Sequence, residues 1–401
     1  MYELKQFTND SKDLSDFYAL YLYCFKGSDS PERRAYFNYR YEHSLKYGIK
    51  QDDQLKSGLL SIPLEVNFHD VLYKMNGICD VASYPEFGGQ GGITDIMKLV
   101  LQDMYDNHTA LSYLSPFSYE FYLRFGYEEV FDHCYYQVES NNLPKIKIDS
   151  GAGYVERYDF KDVVPLIKEL YNKDLKNHSG GLDRSDWWWN YLTMKRSNWE
   201  TALYFDKNND IKGYLIYIVN GSDKNQSTFS IQDFSYNDLN SYQHLLKFVC
   251  QHQSMYQIFE YNSSYPTAYL DVLKEPTAIK ATIRPYMMAR IVNLKEFISN
   301  YPFLKDFENI KLSVDDKILS ENKGVWNLSV KEGTVIFEKV SDKDQDDADI
   351  RFSIQSLTKS FLGYRSLTHL FKIEGLCGNQ DAMIKLSESL IKETPLIQDY
   401  F

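Results

Sequence analysis

Four glycines fall within five successive positions, Gly88, Gly89, Gly91 and Gly92, with Gln90 between the pairs. Inside a regular element each would cost about 0.5–1 kcal/mol against alanine. A backbone that must approach an anion gives such a cluster a purpose. The preceding run Val81-Ala-Ser83 has strand character. After the glycines, Ile93, Ile96, Met97, Val100 and Met104 recur every three or four residues, one face of a helix. Unpaired amides at a helix start carry partial positive charge, and glycine lets them come close to a phosphate. A tight structural turn is the plainer alternative. A P-loop is excluded, because Ile93-Thr94 follows where Lys-Ser/Thr is needed. The pattern is not that of a dinucleotide fold either, because the preceding elements read as hairpins rather than a βαβ unit.

Other reactive side chains are scattered. His43, His69, His108 and His133 sit in no catalytic string, and the eight histidines show no metal-binding spacing, so no metal is expected. The five cysteines form neither a C-x-x-C pair nor a disulfide framework, and Cys79 and Cys134 lie in strand-like runs where burial is expected. Trp187, Trp188 and Trp189 could stack on a substrate, although core packing is the better reading. With 44 basic and 56 acidic residues the net charge is −12. That balance disfavours nucleic acid and anionic membranes and suits a cationic small molecule. The amino terminus does not read as a signal peptide and no apolar run reaches membrane-spanning length, so a cytoplasmic location is expected.

The elements that would position these residues form a partly repeated order. First come a strand over YELKQF, a helix over DLSDFYALYLYCF and strands over SGLLSIPLEVNF and VLYKMNGICDVASY. The glycines and their helix follow, then strand ALSYLSP, a short helix in SYEFYLRFGY and strand EEVFDHCYYQV. A similar series then runs through GYVERYDF, DVVPLIKELYNKDL, TALYFD, a turn at Lys207–Asp210, IKGYLIYIV, FSIQDFSYND and LNSYQHLLKFVCQH. Phe234–Leu239, before that last helix, contains no glycine. A third α+β segment begins near MMARIVNLKEFI, with an acidic loop SDKDQDDAD expected to be a solvated hairpin tip.

The stretch CDVASYPEFGGQGGITDIM resembles the acyl-coenzyme A loop of the GNAT acetyltransferases, Gln/Arg-x-x-Gly-x-Gly/Ala. Glu86, Gly89 and Gly91 stand at its defined positions. Glu86 departs from the usual Gln/Arg, and Gly88 replaces a common arginine, which shifts binding onto the amides of Gly89, Gln90, Gly91 and Gly92. Tyr122-x-Arg-Phe-Gly-Tyr127, RSDWWWNYL, MMARIVNL, Asn322-x-Gly324-x-Trp-Asn-Leu328 with Ala348-Asp349, and the closing Asp399-Tyr-Phe401 together resemble the Eis-type (enhanced intracellular survival) branch.

That resemblance implies an α+β chain of tandem GNAT domains followed by a sterol-carrier-like domain. The implied bounds are 1–145 (catalytic), 146–288 (non-catalytic) and 289–401. Acetyl-CoA would be the cosubstrate, held by Val81, Ala82, Ser83, Gly88, Gly89, Gln90, Gly91, Gly92 and Ile93, and the acceptor would be an amine of the aminoglycoside, polyamine or lysine kind. Tyr127 would be the general acid and the α-carboxylate of Phe401 the base. The resemblance also implies a homo-oligomer, hexamers included. The alternative function is an acyl-CoA or lipid-binding protein without turnover.

Overall fold

The computed structural model describes residues 3–176, 178–222, 225–265, 275–342 and 348–401; the centre of the acidic loop, 343–347, lies outside the described residues. Strand β1 (Glu3–Phe7), helices α1 (Ser11–Cys24) and α2 (Pro31–Glu42), and three antiparallel strands, β2 (Leu45–Gln51), β3 (Gln54–Phe68) and β4 (Val71–Ser83), come first. Two-residue turns set their registers. Asp52 and Asp53 have φ of 52° and 57°, and His69 and Asp70 have 47° and 64°. Paired left-handed residues match the twist of flanking strands, so they close hairpins.

The decisive irregularity is in β4. Gly58 faces Ala82 and Leu60 faces Cys79, so Asp80 and Val81 together oppose the single Leu59. This bulge places Asp80 at φ 50° and bends the strand. Helix α3 (Gly92–Asp106) carries the chain to β5 (Leu111–Leu114), which pairs in parallel with β4 only from Met75 to Ile78. Beyond Ile78 the two strands part. Ile96, Met97, Val100 and Met104 of α3 are buried beneath them with Tyr47, Ile49 and Leu59. Short α4 (Tyr119–Leu123) and β6 (Glu128–Glu139) complete the unit.

The second series is β7 (Gly153–Asp159), α5 (Phe160–Leu175), β8 (Ser179–Leu182), α6 (Asp186–Lys195), β9 (Glu200–Asp206), β10 (Ile211–Ser222), β11 (Asn225–Tyr236), α7 (Leu239–Gln251) and β12 (Ile258–Ser263). Its last strand, β13 (Lys280–Ile291), does not stay with it. β13 inserts between β5 and β6, and β12 pairs with the other edge of β6, so both repeats share one 13-stranded sheet.

The third part packs α8 (Leu294–Ser299), α9 (Ile354–Phe361), α10 (Leu367–Ile373) and α11 (Gln380–Ser389) with β14 (Phe307–Asp315), β15 (Gly324–Lys331), β16 (Thr334–Ser341), β17 (Ile350–Ser353) and β18 (Cys377–Gly378) in the order β16-β15-β14-β17-β18. Its motif residues bind it to the sheet. The Asn322 amide donates to the Val292 carbonyl (2.8 Å) and to Asp316 (2.9 Å), and its backbone carbonyl accepts from the Trp326 indole (2.9 Å). Fully buried Arg290 pairs with Asp316 and donates to the Phe125 carbonyl. Breaking such a pair costs about 3–5 kcal/mol. No helix among the described residues is long and apolar enough to cross a membrane.

Candidate active site

Where β4 and β5 separate, a cavity of about 280 Å³ opens. Ile78, Cys79, Asp80 and Val81 form one wall, Ser115, Pro116, Phe117 and Tyr122 another, and Tyr21, Phe25, Arg40, Lys195, Tyr400 and Phe401 the rest. Arg40 is buried on α2. It pairs with Asp80 at the bulge and donates to the Tyr191 hydroxyl (3.1 Å), so its charge is matched.

The glycine loop follows the free end of β4. Gly88 closes a short 3-10 turn through its amide on the Pro85 carbonyl (3.0 Å). Gly89 and Gly91 have φ of 77° and 83°, and a Cβ on either would meet nothing within 4 Å. The loop surface is therefore open, as a pyrophosphate requires. Gly92 is buried for a packing reason, since a Cβ there would lie 2.6 Å from the Phe87 ring. Gln90 is exposed and donates to the Glu86 carbonyl (3.3 Å), while Ile93 is half-buried in the first turn of α3. No side chain caps α3 at Gly91. Ala82 is buried, and Ser83 Oγ lies 2.7 Å from Ser57 Oγ, which continues the strand edge that Val81 begins.

The second repeat closes the equivalent place. Asp238 caps α7, accepting from the Ser241 amide (2.7 Å) while Ser241 Oγ accepts from the Asp238 amide (3.0 Å). A carboxylate already fills that helix start, and it would repel a phosphate. Of these two helix starts, α3 has no side-chain cap and α7 has one. Gly91→Val should test whether the α3 start holds coenzyme A. A β-branched residue at that φ is strained by about 1–3 kcal/mol, and relieving the strain displaces the amides. Calorimetry should show acetyl-CoA affinity falling roughly tenfold or more, equivalent to about 1.4 kcal/mol. Unchanged affinity would leave the glycines as a turn.

The two tyrosines of the Tyr122-to-Tyr127 motif point to different surroundings. Tyr127 is fully buried and does not line the cavity. Its hydroxyl lies 2.7 Å from Ser112 Oγ, and Ser112 donates in turn to the Asn76 carbonyl (2.9 Å), so the Tyr127 proton goes to Ser112. Burial pushes its pKa up to about 12. Tyr127, expected to act as the general acid, therefore stands one layer behind the residues that line the cavity. Tyr122 does line the cavity, and its hydroxyl makes no hydrogen bond among the described residues. Its ring packs edge-on to Phe117 at 5.4 Å, and burial raises its pKa above the ordinary value.

Phe401 arrives from the far end of the chain. After α11 the tail runs back across the molecule, held residue by residue. The Leu396 amide donates to the Ser179 carbonyl (2.7 Å), His133 Nε2 donates to the Ile397 carbonyl (2.8 Å), and the Gln398 amide donates to the Gln232 (2.8 Å) and Asn262 (3.1 Å) carbonyls. Buried Asp399 accepts from Arg184 Nε at 3.0 Å to each oxygen and from the Trp188 indole at 2.8 Å. The RSDWWW stretch therefore anchors the tail. Trp188 and Trp189 are buried, in line with the packing expectation. The Phe401 ring lies over Gly77, where a Cβ would sit 2.7 Å from Phe401 Cε2. Among the described residues no group of three or more His, Cys, Asp or Glu is placed to hold a metal ion.

Two segments, 8–130 and 180–291, match acetyltransferase (GNAT) domain families, and 294–398 matches the sterol carrier protein domain family. A conserved protein of unknown function from Enterococcus faecalis, described as a probable N-acyltransferase, is 33% identical with a TM-score of 0.92, over 100% of both chains. A GCN5-related N-acetyltransferase from Anabaena variabilis is 21% identical with a TM-score of 0.86, again over 100% of both chains. Eis1 from Mycobacterium abscessus is 15% identical with a TM-score of 0.80 over the same extent, which is a likeness of fold. No curated protein matches the chain. The chain belongs to the GNAT acetyltransferases, with two such domains and a sterol carrier protein domain; it is an acetyltransferase, and its GNAT domains imply acetyl-CoA as the cosubstrate.

Proposed function

We propose that this is an Eis-type N-acetyltransferase in which Tyr122, rather than Tyr127, faces the thioester sulfur, and the α-carboxylate of Phe401 serves the acceptor amine. The observation that carries the reading is one cavity lined by Val81, Tyr122 and Phe401, residues from three distant parts of the chain. Acetyl-CoA supplies the acetyl thioester. The open edge of β4 at Val81–Ser83 offers backbone groups to its pantetheine arm, and the α3 amides offer positive ends to its phosphates.

The amine must attack as the free base. A chain-terminal carboxylate, with an ordinary pKa of about 3.5, cannot deprotonate a free ammonium efficiently. It can orient the nitrogen and take its proton once attack has made that nitrogen acidic. Tyr122, kept protonated by burial, donates a hydrogen bond to the sulfur as negative charge develops there. Turnover is tested by thiol release from acetyl-CoA across polyamines, aminoglycosides and lysine peptides. Release with at least one amine is expected. Tight acetyl-CoA binding with no release for any amine would instead make the chain a binding protein.

A further inference from the structure

The wall of the cavity carries a cation that the chemistry above does not use. Lys195 ends α6, so the second repeat places it in the site of the first. Its Nζ lies 5.3 Å from the Tyr191 ring centre and 5.9 Å from that of Tyr400. No carboxylate among the described residues is within ion-pairing distance of it, the Phe401 terminus included. Arg40, the other cation of the cavity, already has Asp80. The remaining acceptor wall is aromatic, from Tyr21, Phe25, Phe117 and Tyr400.

Two ring faces flank the ammonium, and Asp80, the carboxylate that acts on it, lies beyond ion-pairing distance and is paired with Arg40, so this half-buried charge is poorly compensated. Burial, with Arg40 and Arg196 nearby, lowers its pKa to about 7. Lysines that merely cover apolar surface keep the ammonium in water; this one is turned into the cleft. A bound anion would supply the missing counter-charge.

We propose that Lys195 seats an anionic group of the acceptor, so that the amine acetylated here belongs to a molecule that also bears a carboxylate or phosphate. The inference rests on the reading that this cavity is the acceptor site. The two ends of the acceptor then meet opposite charges, the amine at the Phe401 carboxylate and the anion at Lys195. A polyamine or aminoglycoside would instead bring a second ammonium against Lys195.

The test compares amines that differ only in the anion: phenylalanine with phenylalaninamide, lysine with cadaverine, and phosphoethanolamine with ethanolamine. The quantity read is the ratio of kcat/KM within each pair, in wild type and in Lys195→Met, so that intrinsic amine basicity cancels. Lys195→Met should lower the ratio for the carboxylate or the phosphate pairs about 10- to 100-fold, as expected for a charge-assisted contact. Lys195→Arg should retain it, and Lys195→Glu should swing preference toward cadaverine. The carboxylate and phosphate pairs tell the two anion sources apart. Ratios that are the same in wild type and Lys195→Met would overturn the proposal. Calorimetric binding of the same pairs, with coenzyme A present, reads the ratio without turnover. Absence of thiol release therefore counts against the function proposed above, and an unchanged binding ratio counts against this one. Thermal melts establish that each variant is folded.

Discussion

Tyr122→Phe is expected to lower kcat by roughly 10²–10⁴, the range for loss of a general acid, and to leave acetyl-CoA affinity nearly unchanged. Tyr127→Phe is expected to behave differently. It removes one buried hydrogen bond, to Ser112, with a stability cost of about 0.5–1.5 kcal/mol and little effect on kcat. The pair is informative because both tyrosines sit in one hexapeptide and lose the same atom. A pH profile adds a second readout. Burial holds the Tyr122 hydroxyl above the ordinary tyrosine value, so the activity that depends on its proton should persist through neutral pH and fall only above about pH 10. Stopped thiol-release kinetics on both variants decides the assignment. A large loss in Tyr127→Phe with wild-type turnover in Tyr122→Phe would reverse it.

The two tyrosines of this motif are parted by one turn. Helix α4 has five residues, and Gly126 at φ 82° then turns the chain back on itself, where a Cβ would lie 2.5 Å from Arg290. Tyr122 stays on the cleft side and Tyr127 enters β6 behind it. A hexapeptide shows the two tyrosines but not which side of a left-handed turn each takes. The strand, glycine turn and helix α3 were legible because their signal is local: apolar strand, glycines, helical periodicity. The long hairpins, α5 and α7 were legible for the same reason. Helix α2 is not legible in the sequence because its buried face is Phe37, Arg40 and Tyr41, which reads as polar and aromatic rather than aliphatic. Strand β2 hid behind Lys46 and Lys50, lysines that bond to Asn9 and Asp13. The insertion of β13 between β5 and β6, and the meeting of Arg40, Lys195 and Phe401, depend on contacts across more than a hundred residues. No local pattern encodes them.

Extending the chain by a few residues beyond Phe401 should abolish most turnover while acetyl-CoA still binds. The α-carboxylate becomes a neutral peptide carbonyl, and the new end carries its charge out of a place only 5% exposed. If the carboxylate takes the proton from nitrogen, loss of about 10²-fold or more in kcat/KM follows. Position and charge can be separated. Gly77→Ala keeps the carboxylate but sets a methyl 2.7 Å from Phe401 Cε2, so the ring must shift. The tail cannot follow freely, because Asp399 is fixed by Arg184 and Trp188 two residues earlier. A shift at Phe401 alone should therefore cost turnover without unfolding the tail, and the thermal melt should move less than the rate. An amino-terminal extension of equal length, far from this cavity in sequence, is the control and should leave kcat intact. Thiol release and melting curves on the three proteins decide the matter. Full activity in the carboxy-terminally extended form would take Phe401 out of the chemistry, and the anchoring of the tail would then serve stability alone.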